Sequence, residues 1–408
     1  MRRILAYSRP LDQHSPLVRK YATDGLSTEE IVQEVLSVRI VVCTVNFAAR
    51  LAIYGVPRGH FQVLCVDEAG HATEPEVVAV ASSLMDFRRE DSKIGQLILA
   101  GDPKQLGPVI TSKLCREFGL ATSYMERLAQ RDVYDRDEND EFRTPLITKL
   151  IRNYRSHPAI LKLPNELFYD GDLVPSGDML KTHDMTRWEY LPNKKFPVMF
   201  HAVHGENLRE SNSPSWFNPQ EAQLVVTYVN RLVNEARPPV KQEDIGVITP
   251  YARQAQKIRL ALSSRNLKNI KVGSVETFQG QERRCIILST VRAESEWIAS
   301  DLKYNLGFVA NSKRFNVAVT RPTSLLIVIG HPGVLATDSQ NWLPFLRYCR
   351  DNDSWVGERY SWVGEPSDDD DVQDIAESGE DLTERESEVE DSTATMAQEA
   401  IGFISREE

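Results

Sequence analysis

Val63-Leu64-Cys65-Val66-Asp67-Glu68-Ala69-Gly70 runs four apolar residues straight into two adjacent carboxylates. A short β-branched run that stops this abruptly predicts a buried strand feeding a polar turn. A second such unit follows, with Leu97-Ile98-Leu99-Ala100 leading into Gly101-Asp102-Pro103-Lys104-Gln105-Leu106-Gly107-Pro108. Gly101 and Gly107 permit tight backbone, and Pro103 and Pro108 stiffen it. In parallel α/β sheets, ligands sit beyond the carboxyl ends of the strands. Two acids placed there repel each other unless a cation joins them, and Mg²⁺ carrying a nucleotide supplies that charge. Taken alone, the first string reads equally well as a solvated strand-to-loop junction. A surface turn also explains the glycines and prolines of the second, but not why two strands both end in such polar sets.

Working outward, apolar runs alternate with helical patterns along most of the chain. The predicted strands are 39–43, 61–66, 96–100, 198–202, 245–249, 284–291 and 324–329, and the predicted helices are 27–37, 123–130, 219–236, 252–264 and 312–319. This alternation predicts an α/β fold with mainly parallel sheets. One strand-helix series stops near Asn153, and a second begins after the loop-rich stretch 170–197. The predicted organisation is a first domain over 1–152, a second over 153–350, and an acidic tail over 351–408.

The tail also decides how the charge is read. The 408 residues carry a net charge of −11, but the segment 368–408 holds 16 acidic and two basic residues, so the other 367 residues sum to +3. A near-neutral body with local basic clusters suits phosphate-bearing partners better than a uniformly acidic one. The tail is poor in apolar residues and predicts disorder. It reads as a solubilising segment or as a mimic of nucleic acid competing for a basic groove. Just before it, Ser354-Trp355-Val356-Gly357-Glu358 recurs as Ser361-Trp362-Val363-Gly364-Glu365. Two copies are too few for a solenoid. They read as a chance duplication in a linker, or as a pair of tryptophan anchors for a partner protein.

Composition excludes several classes. No apolar stretch approaches the length of a membrane span, and the basic N-terminus is too short in apolar residues for a secretory signal. The five cysteines form no C-x-x-C pair; three lie inside apolar runs, as buried free thiols do, and the unpaired set suits a reducing compartment. The eight histidines show no metal-like cluster, His60 and His157 read as structural, and no G-x-S-x-G elbow is present.

Three more strings carry chemistry. Arg152-Asn153-Tyr154-Arg155-Ser156-His157-Pro158 sets an arginine beside an aromatic, which can stack on a base and fork onto a phosphate. Val275-Glu276-Thr277-Phe278-Gln279-Gly280-Gln281-Glu282 turns a strand into a polar loop, where Glu282 can accept from a ribose hydroxyl. Arg314-Phe315-Asn316-Val317-Ala318-Val319-Thr320-Arg321 is an amphipathic helix ending in an arginine just before Pro322. That arginine is either a helix-dipole partner or a cation reaching a γ-phosphate.

Taken in order, D-E-A-G, G-D-P-K-Q-L-G-P, N-Y-R-S-H-P, V-E-T-F-Q-G-Q-E and R-F-N-V-A-V-T-R resemble motifs II to VI of superfamily 1 helicases. The wording is closest to the Moloney leukaemia virus 10-like RNA helicases, the group that includes Armitage. Gly59-His60-Phe61, the segments 213–219 and 244–251, and Leu306-Gly307-Phe308 look like that family in particular. The resemblance implies two RecA-like P-loop NTPase domains, ATP with Mg²⁺, and single-stranded RNA as track, moved along 5′ to 3′. In it Asp67 holds Mg²⁺, Glu68 activates the attacking water, Gln105 senses the γ-phosphate, and Arg155 and Arg321 reach phosphate from the second domain. Gly101, Asp102, Tyr154, Gly280 and Glu282 contact nucleotide, with Tyr154 stacked near the adenine. Thr44, Pro108, Thr249, Pro250, Tyr251 and Thr277 contact the RNA strand. It further implies work in small-RNA silencing with Argonaute machinery, as a monomer in the cytoplasm or in ribonucleoprotein granules. The motifs alone leave a DNA helicase of the same superfamily open, as they do a non-hydrolysing RNA- or protein-binding scaffold.

One departure stands beside the match. The family's phosphate loop, G-x-x-x-x-G-K-[ST], has no counterpart, since no Gly-Lys pair occurs anywhere in the sequence. In the family that loop lies upstream of the matched region, and its strand belongs to the first sheet. The expectation is therefore an incomplete first domain with an unpaired strand edge, and weak or absent ATP hydrolysis by this chain alone.

Overall fold

The computed structural model describes residues 1–5, 11–23, 25–88, 94–137, 142, 146–210, 215–294 and 311–362. Most of the acidic tail, the end of the second Ser-Trp-Val-Gly-Glu copy, the start of the 213–219 phrase and Leu306-Gly307-Phe308 lie outside the described residues. The chain divides into two compact units, Met1–Lys149 and Leu150–Glu408, where the sequence placed the boundary at 152/153.

The second unit is built on one six-stranded parallel sheet. Its strands are β8 (Val198–Ala202), β11 (Ile245–Ile248), β12 (Lys271–Gly273), β13 (Arg283–Ser289), β14 (Pro322–Gly330) and β15 (Trp355–Gly357), in the order β12-β11-β13-β14-β8-β15. β13 and β14 are the continuous apolar runs Cys285-Ile286-Ile287-Leu288 and Leu325-Leu326-Ile327-Val328-Ile329, every residue of them buried. Strands apolar on both faces need helices on both sides, so they take the centre. On one face Val225 and Val229 of the helix Pro219–Asn230 and Ile258 and Leu262 of the helix Ala252–Ser263 pack on Val247, Ile287 and Ile327. The helices Pro158–Phe168, Ser312–Val319 and Trp342–Asp351 form a second layer, joined through Phe315, whose ring lies 4.8 Å from Trp342 and 6.2 Å from Phe168. Among the described residues two small strand pairs accompany it: parallel β6 (Arg152–Asn153) with β7 (Val174–Pro175), and antiparallel β9 (Leu208–Arg209) with β10 (Trp216–Phe217).

The first unit holds two separate parallel sheets among the described residues. One is β1 (Arg2–Ile4) between β2 (Ala22–Thr23) and β3 (Val41–Val42); the other is β4 (Val63–Val66) with β5 (Gln96–Leu99). The helices Thr28–Ser37, Val45–Tyr54 and Glu74–Leu84 pack through Val35, Phe47, Leu51, Val80 and Leu84 around Ile4. The opposite face of β4 and β5 is open: Val63 is 48% exposed and Ile98 49%.

Several expectations are corrected. Cys65, inside an apolar run, is exposed rather than buried because it lies on that open face, whereas Cys285 and Cys349 are buried. The predicted helix 219–236 is α-helical to Asn230 and π-helical over Arg231–Glu235. The predicted disorder fails for the stretch 351–357, because Trp355–Gly357 is the edge strand β15. Three residues are too few to show a strand period, and the acidic composition beyond them dominates a window reading.

Candidate active site

In the first unit the two strand exits interlock. Ala100 N–H donates to Val66 O at 2.9 Å and Ala69 N–H to Ala100 O at 2.8 Å, so the turns after β4 and β5 are tied back to back. Gly101 is obligatory there, since a Cβ would stand 2.9 Å from both Ala69 N and Gly70 N, and a Cβ on Gly70 would meet Asp102 O at 2.9 Å. Glu68, a non-glycine residue, adopts the left-handed conformation at φ 51°, and Asp67 Oδ1 accepts its N–H at 3.0 Å. A left-handed residue other than Gly, Asn or Asp is uncommon and marks a place worth explaining. Both carboxylates are exposed, and Glu68's has no partner among the described residues. Asp102 shapes the neighbouring loop by accepting from Lys104 N at 2.9 Å and from the Gln105 amide at 3.0 Å, which fixes that side chain. Pro108 is buried at the loop's end. Thr44 is exposed at the N-cap of the helix Val45–Tyr54, accepting from Phe47 N at 3.3 Å.

In the second unit a turn is clamped onto the start of β14. Asn153 Oδ1 accepts from Arg155 N and Ser156 N, both at 3.0 Å; Ser156 Oγ donates to Pro322 O at 2.8 Å and His157 N to Thr323 O at 2.8 Å. His157 caps the next helix by accepting from Ala159 N, and burial together with His183 lowers its pKa to about 4, so it stays neutral. Arg155 Nε then pairs with Glu282 Oε2 at 2.7 Å. Arg321 turns inward: it is 2% exposed, and its guanidinium donates to Val317 O at 3.2 Å and Gln281 O at 3.3 Å. Arg155, Arg321 and Glu282 therefore meet at the 280–282 turn, where Gly280 takes φ 67°. Tyr154 stands 68% exposed beside them.

The residues proposed for a strand divide. Thr277 lies in the loop after β12, its hydroxyl donating to Ser274 O at 2.8 Å. Thr249 and Tyr251 are 1% and 4% exposed, and so belong to the interior. Tyr251 Oη accepts from Arg292 Nε at 2.7 Å, and the Arg292 guanidinium lies 4.7 Å from the Trp216 ring and 5.1 Å from the Tyr251 ring.

Beneath this lies a network that the sequence reading missed. Glu221, fully buried, accepts from Ser289 Oγ at 2.6 Å and from Val291 N at 2.9 Å, while Gln254 donates to Ser289 Oγ at 2.9 Å and accepts from Asn218 N at 2.9 Å. It holds Val291 at φ 73°, an outlier for a β-branched residue, and so turns Arg292 back under the strand ends. Burial pushes the Glu221 carboxyl up to about 8 against the hydrogen bonds it accepts. Glu276 is opposite in sense: burial is the largest single influence and raises its pKa, but the charge of Arg314, 2.9 Å away, and the hydrogen bonds the carboxylate accepts together hold it below the ordinary carboxylate value. The signal for Glu221 was Asn218 followed three residues later by a glutamate, a capping pattern that by itself points to a surface helix start.

Asp67 and Glu68 fit a hard divalent cation, being exposed oxygen donors at a strand end. Among the described residues no group of three or more His, Cys, Asp or Glu could hold a metal by itself, so an ion here would share its coordination with phosphate and water. The phosphate cradle that such a nucleotide needs is not supplied by any Gly-Lys loop of this chain.

Comparison with known proteins places the geometry in context. Two family models described as AAA domain match residues 10–113 and 120–333, the second covering more than half of the chain. The mov-10-B.1 protein of Danio rerio is 45% identical over 337 residues, 80% of this chain and 33% of its own length. The RNA helicase Mov10l1 of Homo sapiens is 46% identical over 326 residues, 79% of this chain and 26% of its own. The "Probable RNA helicase armi" of Drosophila melanogaster is 36% identical over 333 residues, 78% of this chain and 27% of its own. A solved arterivirus helicase, nonstructural protein 10, covers 71% of this chain and 42% of its own at 13% identity and a TM-score of 0.32. The chain thus spans about a third or less of the length of these curated relatives.

Proposed function

The chain belongs to the AAA-domain family, on its MOV-10-like helicase branch, and from that premise we propose that it is the ATP-reading and strand-gripping part of an RNA helicase. The observation that carries the reading is the pair of unneutralised acids at the β4 exit, on a turn locked by Gly101, in a chain whose second unit presents Arg155 on a built turn. ATP carries the electrophilic γ-phosphoryl group, and Mg²⁺ held with it would screen that group's charge. Asp67 would hold the ion, and Glu68 orients the attacking water and takes its proton. Gln105, steadied by Asp102, contacts the γ-phosphate. Arg155 stabilises charge developing on the phosphoryl oxygens, and Arg321 holds the 280–282 turn that carries Arg155's partner. Tyr154 offers an exposed ring for the adenine. The work performed is 5′ to 3′ movement on single-stranded RNA in small-RNA silencing, by a monomer that meets Argonaute machinery.

A second reading has its own observation. The absence of a Gly-Lys pair favours an RNA-binding unit that does not hydrolyse ATP unless a phosphate loop is supplied. ATP turnover, with and without single-stranded RNA, separates the two. It is measured on this chain and on the chain joined in frame behind the phosphate-loop segment of a Mov10l1-type relative. The first reading expects RNA-stimulated turnover in the joined protein; turnover at background in both leaves only the binding role. Equal stimulation by single-stranded DNA removes the preference for RNA.

A further inference from the structure

The duplicated Ser-Trp-Val-Gly-Glu segment finds its explanation at the edge of the large sheet. Each residue of the first copy has a separate task against β8. Ser354 is fully buried, its hydroxyl donating to Val198 O and its carbonyl accepting Phe200 N–H at 3.0 Å. Trp355 lies opposite Phe200, ring centroids 4.7 Å apart, and its indole N–H donates to Glu358 O at 3.0 Å. Val356, opposite His201, packs against the core. Gly357 sits at φ 87°, where a Cβ would stand 2.2 Å from Ala202 O and 2.7 Å from the His201 ring, so no other residue fits. Glu358 N–H donates to Ala202 O at 3.1 Å, and its carboxylate accepts His204 N–H at 3.3 Å and pairs with the His204 ring.

The same five residue types return in the same order at Ser361-Trp362-Val363-Gly364-Glu365. The second copy begins beside the first: Trp362 lies 5.7 Å from Trp355 and 5.0 Å from Tyr360, with the Arg350 guanidinium 4.4 Å from its ring. We infer that the β8 edge is a binding slot for an extended Ser-Trp-Val-Gly-Glu strand, and that either copy in the chain can occupy it. β15 is then one of two registers, seven residues apart, with every group the slot reads present in both.

The first register prevails for a stated reason. Seating the second copy lengthens the connection from the helix ending at Asp351 from two residues to nine, which loop closure disfavours by about tenfold. It also forfeits the bonds Ser354 N–H to Cys349 O and the Asn193 amide to Asn352 O, both 2.8 Å.

The test is hydrogen exchange at β8 in the full chain, read on peptides spanning 198–202. Gly364→Val alone leaves protection of the Phe200 amide unchanged. Gly357→Val evicts the first copy, the second takes its place, and protection falls by tens-fold. The double variant, with no seatable copy, falls at least a further hundredfold. The inference is overturned if Gly357→Val alone loses as much as the double variant, or fails to fold with the second copy intact. It is equally overturned if the double variant stays protected, or if protection in Gly357→Val rises with protein concentration, which would mean that the strand comes from another molecule.

Discussion

The guanidinium of Arg155 lies 2.7 Å from the carboxylate of Glu282, joining the turn after β6 to the loop before β13 across 127 positions of sequence. The pair is part-exposed, with side chains 30% and 56% accessible. Such pairs contribute at most about 1 kcal/mol to stability. On the proposed function its use is to aim the arginine. In the joined protein, Glu282→Gln is therefore expected to lower ATP turnover by about tenfold and leave the melting temperature within about 2 °C. Arg155→Ala should lower turnover by about a hundredfold or more, as expected of a cation acting on transferring phosphoryl oxygens. Steady-state kinetics and a thermal melt of both variants check this; a large loss of stability with turnover intact would make the pair merely structural.

Glu221 predicts a pH dependence of folding. Its pKa in the folded chain, about 8, stands above the ordinary 4.5 because burial disfavours the charge. Between those values the folded state keeps a proton that the unfolded state releases. This group's contribution is therefore complete below about 4.5 and is lost as pH rises toward 8, on the order of a few kcal/mol across that window. Denaturant melts from pH 5 to 8 should show stability falling with pH. In Glu221→Gln, which has nothing to ionise, the slope should flatten, and identical slopes would show that Glu221 does not titrate there.

Gly101 predicts the cost of separating the two strand-end turns. A methyl group at this position meets two backbone nitrogens at 2.9 Å, and backbone cannot yield as a flexible side chain does. Gly101→Ala should destabilise the first unit by about 1–3 kcal/mol and reduce turnover by displacing Asp67 and Glu68. Urea unfolding followed on that unit, together with the turnover assay, reads both effects. A silent substitution would mean that the turns are not in contact.

Local patterns carried much of this architecture. The unbroken apolar runs of β13 and β14 announce central parallel strands, and the abrupt passage from Val66 to Asp67 and from Ala100 to Gly101 marks two strand exits. What local pattern could not carry is the direction in which a polar side chain turns. Asn218 and Glu221 match a surface capping pattern, yet their helix starts against the β13 exit, so the glutamate points inward at Val291. Thr249 and Tyr251 follow a strand end, as a nucleic-acid contact would, but both are buried, and Arg292 folds back onto Tyr251, which nothing near residue 250 in sequence foretells. Arg321 ends its helix as expected of a cation that reaches outward; Gln281, 40 residues away in sequence, draws it in instead.

The most direct test of the central claim, that the carboxylates at the β4 exit serve phosphoryl transfer from ATP, is RNA-stimulated ATP turnover by the joined protein carrying Glu68→Gln. The account predicts that turnover collapses to background while single-stranded RNA is still bound. Turnover that persists at the unsubstituted rate would contradict it.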